Sequence, residues 1–200
     1  MLGVTLDKDL SYKDHISDQL KKAYAKASAL RGIRCLLPLD AMIKLYKAFI
    51  LPYLEYCSVL FVGIGTGQPN RLEDGNCYIF RTLIGHKKSM SYDELLTTAI
   101  MTSLYCRRLN QALILLFKCL NGTRPTYIGS LFKYKLTPYG LREKGLNLEL
   151  PNFNLKFKKN SFTYSLTKLW NSLPSQVRLS SDANDFRSKL HDCSFLERVL

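Results

Sequence analysis

Acidic residues are scarce in this sequence: 16 Asp and Glu stand against 29 Lys and Arg, a formal net charge of +13 over 200 residues. Histidine is scarcer still, and His15, His86 and His191 are far apart. Catalysis needs titratable groups that converge, and no HExxH, GxSxG or Cys–His arrangement is present. Nothing here argues for an enzyme that works alone. The six cysteines, Cys35, Cys57, Cys77, Cys106, Cys119 and Cys193, include no CxxC pair, and His191 with Cys193 is too little for zinc. They read as reduced, buried thiols of an intracellular protein, in the nucleus or cytoplasm. No signal peptide is expected, because Asp7, Lys8 and Asp9 arrive at once. Long apolar runs are missing too. The nearest, 48–65, is short and carries Pro52 and Glu55, so no membrane partner is expected. Gly63, Gly65 and Gly67 match neither GxGxxG nor a Walker sequence and read as a helix–helix connection. No internal repeat or low-complexity tract is found.

What is present is enough for a core. Hydrophobic residues make up 46% of the chain, which suits one globular domain or two small ones. The positive excess is unevenly spread. Residues 101–160 hold 11 basic and 2 acidic residues, whereas 51–100 hold 4 and 5, and 161–200 hold 5 and 4. Residues 1–50 hold 9 and 5, so the surplus sits mainly in one stretch, the footprint of a surface for a polyanionic partner.

The stretch 39–61 reads as the central core element. Met42, Leu45, Tyr46 and Phe49 recur at helical spacing, with Lys44 and Lys47 off that stripe. Pro38 and Asp40 suit a helix start, and Pro52 predicts a kink or a second start, because it lacks a donor and clashes with the preceding turn. Ahead of it, Leu2, Val4 and Leu6 alternate as a short strand ending in a turn at Asp7–Asp9. A lone strand needs partners, later in the chain or upstream of it. A helix over 12–32 follows, capped by Ser11 or Asp14, with Ile16, Leu20, Tyr24 and Ala27 inward, Lys21, Lys22 and Lys26 on another face, and Gly32 as the stop.

Further helices are predicted at 70–84, from Ser91, over 103–120, over 161–172 with the only tryptophan, Trp170, and over 183–191. Between them, Leu146, Leu148 and Leu150 alternate, as do Phe153, Leu155 and Phe157, around Pro151 and Asn152, which marks a candidate β-hairpin near 144–158. Lys156, Lys158 and Lys159 interleave with its aromatic residues, a pattern suited to phosphate contact with base stacking, or to an edge hairpin kept soluble by lysines. Arg107 and Arg108 stand at the start of a long helix, where the dipole disfavours cations, so an anionic neighbour is expected, inside the protein or outside it.

Taken in order, LGVTLD with SYKDHI, LPYLEYCSVLF, the double arginine Arg107-Arg108 within SLYCRRLNQALILLFKCLNG, and SFTYSLTKLWNSLP followed by FRSKL resemble the C-terminal part of non-LTR (LINE, jockey-like) retrotransposon reverse transcriptases. The resemblance spans nearly the whole chain. It implies a mainly α fold: a helical thumb-like bundle with a short N-terminal strand and a small hairpin near 144–158. It assigns 1–10 to the end of a truncated palm, 11–122 to a thumb-like region and 123–200 to a basic post-thumb region. The family's catalytic aspartates lie upstream, and no Ala-Asp-Asp sequence occurs here. Asp182 and Asp185 sit in the wrong element to replace them. No cofactor is therefore expected in this chain, the parent family's Mg belonging to the missing palm site. The implied partners are a template–primer duplex of RNA and DNA and the missing palm domain. The residues implied to grip phosphates are Lys21, Lys22, Lys26, Arg107, Arg108, Arg142, Lys144, Lys156, Lys158 and Lys159. The alternative is a helical protein–protein interaction domain, which has no need of the basic excess.

Overall fold

The computed structural model describes residues 3–64, 67–84, 91–123, 126–135, 146–151 and 161–192. These are mainly helical, as the periodicities predict. They belong to two compact units, Met1–Phe61 with Gly65–Arg107, and Val62–Ile64 with Arg108–Leu200.

The expected N-terminal strand does not form in the described residues. Gly3 turns with φ +75°, 4–7 are irregular, and Leu6 is 49% exposed. The turn that follows is built around Asp7, whose carboxylate accepts from the Ser11 amide at 2.7 Å and the Ser11 hydroxyl at 2.9 Å. Those bonds, the Ser11 amide first, hold the Asp7 carboxyl below the usual carboxylate range. Ser11 is thereby committed, and α1 (Lys13–Ile33) starts at Tyr12 with no side-chain cap, where Ser11 or Asp14 was expected. Gly32 does not stop α1 either. The helix runs through it and tightens into a 3-10 turn over Arg34–Leu36.

His15 is 1% exposed and lies against the rings of Phe61 and Tyr56, at centroid distances of 5.9 and 6.2 Å. Burial lowers its pKa from the usual 6.5, helped by Lys22 and opposed by Asp18. The sign follows. Below about pH 6.5 the unfolded chain takes up a proton that folded His15 resists, so stability falls with pH, by at most about 1.4 kcal/mol per pH unit. The loss ends once folded His15 itself titrates. His15→Phe is expected to flatten this part of the profile in urea unfolding, well above the range where Asp7 contributes. An unchanged slope in the variant would assign the loss to another group.

In the first unit α1 packs on α4 (Gly67–Ile84). The inward stripe of α1 is His15, Ile16, Gln19, Leu20, Ala23 and Ala27; Ile16, Leu20 and Ala27 lie on it as expected, whereas Tyr24 is 38% exposed. Both Leu20 and Tyr24 reach Gly75 of α4. A Cβ there would stand 2.5 Å from Leu20 Cδ2 and 2.9 Å from the Tyr24 hydroxyl. With no side chain of its own, Gly75 leaves room for Leu20 and for the Tyr24 hydroxyl against α4.

The segment 39–61 breaks where proline predicts. α2 (Leu39–Phe49) ends at Ile50, and Pro52 sits in the first turn of α3 (Leu51–Glu55), where its missing donor costs nothing. Met42, Tyr46, Ile50, Leu51, Leu54 and Phe61 are buried, but Phe49, placed on the core stripe by its spacing, is 52% exposed. α5 (Tyr92–Thr98) opens on a full capping box of Ser91 and Glu94 and closes on Ile100, 89% exposed at φ 50°. That is a left-handed position which a β-branched residue fills at a cost of about 1–2 kcal/mol.

In the second unit α6 (Leu104–Leu120), which begins in the first, buries Leu109, Ala112, Leu113, Leu116 and Phe117. The short α7 (Thr126–Gly129) comes so close that a Cβ on Gly129 would stand 2.8 Å from the Cys119 carbonyl oxygen. α8 (Phe162–Ser172) and α10 (Ala183–Asp192), joined through the short, unanticipated α9 (Ser175–Arg178), bring Trp170 and Phe186 to Phe117. Phe117 and Phe186 stack at 4.4 Å, Trp170 and Phe186 at 5.9 Å. Asp182 caps α10 through the amides of Asn184 and Asp185, at 2.7 and 2.8 Å, while Asp185 pairs with Lys189 at 2.8 Å.

The candidate hairpin near 144–158 is only partly described, 144, 145 and 152–158 lying outside the described residues. Its first segment pairs upstream. Leu148 forms an isolated antiparallel bridge with Tyr134, and Asn171 clamps Leu148 from α8, accepting from its amide and donating to its carbonyl, both at 2.8 Å. Of the thiols, Cys106 and Cys119 are buried as expected, whereas Cys35 is exposed and Cys57 and Cys77 are half-buried.

Candidate nucleic-acid interface

The start of α6 shows what its arginines answer to. Glu73 of α4 accepts from the Leu104 amide at 3.1 Å and the Tyr105 amide at 3.2 Å, and Ser103 accepts from the Cys106 amide at 3.2 Å. The orphan donors of this helix end are thus met, two of them by a carboxylate that also answers the dipole. Behind Glu73 runs a chain of polar groups. Tyr46 donates to Asn76 at 2.5 Å, Asn76 to Tyr92 at 2.6 Å, and Tyr92 to Glu73 at 2.8 Å. Burial, then the charge of Glu73, raises the Tyr92 pKa strongly; burial, then Glu55, raises that of Tyr46. Both phenols stay protonated donors. Arg107 forks onto Glu55 of α3, its Nε meeting one carboxylate oxygen and Nη2 the other at 3.2 Å. That bond raises the Arg107 pKa against the opposing effect of burial.

The anionic neighbours expected near Arg107 are therefore found in the protein, at Glu55 and Glu73. Arg108 belongs to the second unit and is 2% exposed. Neither arginine presents a free guanidinium to solvent.

The three lysines of α1 are exposed but do not share one patch. At about 100° per residue, Lys22 and Lys26 stand one turn apart on one shoulder of the helix, and Lys21 lies about 100° around from Lys22. Lys21 also pairs with Asp18 at 3.5 Å. On the opposite shoulder, Tyr24, Ala27, Ser28 and Arg31 of α1 meet Tyr78 and Thr82 of α4 around a cleft of about 490 Å³. Arg142, Lys144, Lys156, Lys158 and Lys159 lie outside the described residues.

No protein-family model, no curated protein and no solved structure matches this chain. The reading of its surfaces rests on their own chemistry. Among the described residues no group of three or more His, Cys, Asp or Glu is placed to hold a metal ion, and no described helix is long and apolar enough to cross a membrane.

Two features escaped the sequence reading. One is the Tyr24–Tyr78 cleft, masked because Tyr24 fits a core stripe by spacing alone. The other is Lys133-Tyr134-Lys135, exposed on an extended segment of the second unit, with backbone bonds Lys135 N to Asn147 O at 2.8 Å and Glu149 N to Lys133 O at 2.7 Å. Its signal was the same basic–aromatic alternation seen at 153–159, only shorter.

Proposed function

We propose that this chain is a thumb and post-thumb segment of a reverse transcriptase of the non-LTR retrotransposon kind, and that it holds a template–primer duplex without performing the chemistry. The observation that carries this reading is the pairing of a +13 charge with exposed lysines, Lys22 and Lys26 on α1 and Lys133 and Lys135 beside Tyr134 on an extended segment. Lysines one helical turn apart match phosphates along a backbone and fix position without reading bases. An RNA–DNA hybrid, close to A-form, is held in that way by backbone and shape. Polymerisation itself would require a two-metal carboxylate site supplied by a palm domain.

The test is binding of the whole chain to an RNA–DNA hybrid duplex across a salt series. Affinity should fall steeply with salt, with a slope of about 0.9 per neutralised phosphate, taking B-form behaviour for the hybrid. Lys22→Gln and Lys26→Gln should each lower the slope by about one without changing the melting temperature. No binding at low salt by the folded chain would refute the reading.

A specific observation favours a second reading, a protein-docking module. Ile33, Leu36 and Leu39 are 41%, 80% and 40% exposed at the turn between α1 and α2, where a soluble monomer has no use for three neighbouring apolar side chains. A folded chain that ignores nucleic acid and self-associates or aggregates through this turn, with Leu36→Lys as the cure, would favour it.

A further inference from the structure

We propose that the cleft between α1 and α4 binds one unpaired nucleotide of a single strand of RNA or DNA, its base stacked on Tyr78 and its phosphate met by Arg31; this deepens the nucleic-acid reading above and rests on it. The cleft is formed by the adjoining flanks of two packed helices, positions 24, 27, 28 and 31 on one and 78 and 82 on the other. Its volume of about 490 Å³ lies within the range of small-ligand sites.

Its chemistry is selective. Tyr78 is 62% exposed, far more than its area would suggest for a core ring, and meets Tyr24 edge to face at 5.8 Å and 85°. Tyr24 is a fixed wall, because its hydroxyl lies over Gly75 where no side chain intervenes. Burial raises its pKa, with Tyr78 next in effect and Arg71 and Asp74 opposing one another. Ala27 forms an apolar floor. The Thr82 hydroxyl donates to the Tyr78 carbonyl at 2.9 Å, leaving its oxygen able to accept, and the Ser28 hydroxyl faces the same space. Arg31 is exposed at the rim, and Arg34 donates to the Thr82 carbonyl at 3.2 Å, adding a second positive charge nearby. No carboxylate is among the residues lining the cleft.

A stacking ring, flanking hydroxyl groups and a guanidinium suit a flat base with its phosphate. They suit an unpaired one, since a base within a duplex offers no free face and no reach into a cleft. Because every base has a π-face, the site would tolerate sequence.

The experiment uses the whole chain with two probes, a labelled short oligothymidine and the RNA–DNA hybrid duplex, read by fluorescence anisotropy. Tyr78 is 62% exposed, so Tyr78→Ala should fold, its melting temperature lowered only by the loss of the edge-to-face contact with Tyr24. It should weaken single-strand binding roughly 5- to 150-fold, the loss of one base stack, and leave hybrid affinity as it was. Tyr78→Phe should stay within about twofold of the parent, because the ring remains. Arg31→Gln should lower the single-strand salt slope by about 0.7. If Tyr78→Ala binds the oligothymidine as the parent does while the hybrid still binds, the cleft proposal falls and the duplex reading stands. If the parent binds neither probe at low salt, both fall.

Discussion

Glu73→Ala is expected to lower stability by about 3 kcal/mol, seen as a lower urea midpoint with an unchanged m-value. The carboxylate is the shared acceptor for the Leu104 and Tyr105 amides and the Tyr92 hydroxyl. Hydrogen bonds to a charged group contribute about 1.5–3 kcal/mol each, and water recovers part of that when the site is only half-buried. Removing Glu73 also strips the start of α6 of its negative charge and leaves Tyr92 as the end of a chain that begins at Tyr46. Glu73→Gln keeps an acceptor for one amide but drops the charge, and should cost about half as much. Circular dichroism of the two variants against the parent settles the point. A loss under about 0.5 kcal/mol for the alanine variant would mean that solvent serves the helix end equally well.

Trp170→Ala should cost about 4 kcal/mol in the second unit, the usual range for truncating a buried large aromatic residue being 3–5. Trp170 is 3% exposed, shares the ring cluster with Phe117 and Phe186, and donates Nε1 to the Leu146 carbonyl at 3.0 Å. Trp170→Phe keeps a ring and loses that donor, so about 1–2 kcal/mol is expected, from the unpaired carbonyl and the smaller fill. As Trp170 is the only tryptophan, the parent can be followed by its fluorescence, but the variants must be followed by circular dichroism or amide exchange. Equal stability of parent and alanine variant would place Trp170 outside the load-carrying core.

The same tail explains why its residues occur together. In Trp170-Asn171-Ser172-Leu173-Pro174, Trp170 and Leu173 fill the core, Asn171 clamps Leu148, the Ser172 hydroxyl donates to the Leu169 carbonyl at 2.7 Å, and Pro174 opens α9. Each residue answers a local packing or backbone need. The motif therefore describes how this unit is built rather than a surface for a ligand.

Helices were legible in the sequence because their signals are local. The apolar period along α4 and α6, the Ser91–Glu94 capping box and the Pro52 break each act within about four residues of chain. The strand expected at 2–6 is absent from its described residues, 3–6, for the opposite reason. Alternation states a preference, but a strand exists only where another segment completes its ladder. The candidate interface was legible in its total charge and in the lysines of α1. It was not legible in Arg107, because exposed and paired arginines look alike until the partner is known.

The amino-acid sequence by itself determined that this is a basic, mainly helical chain, that it breaks at Pro52 and that α5 starts at Ser91. Tertiary structure alone decided which way those helices face and what their charges do. Gly75 leaves room for Leu20 and the Tyr24 hydroxyl, and Tyr24 and Tyr78 line a cleft between α1 and α4. Glu73 caps a helix 31 residues away, and Glu55 takes up an arginine 52 residues away. Periodicity and capping act through neighbours along the chain, whereas packing clearance and charge pairing act through neighbours in space, which only the folded chain brings together.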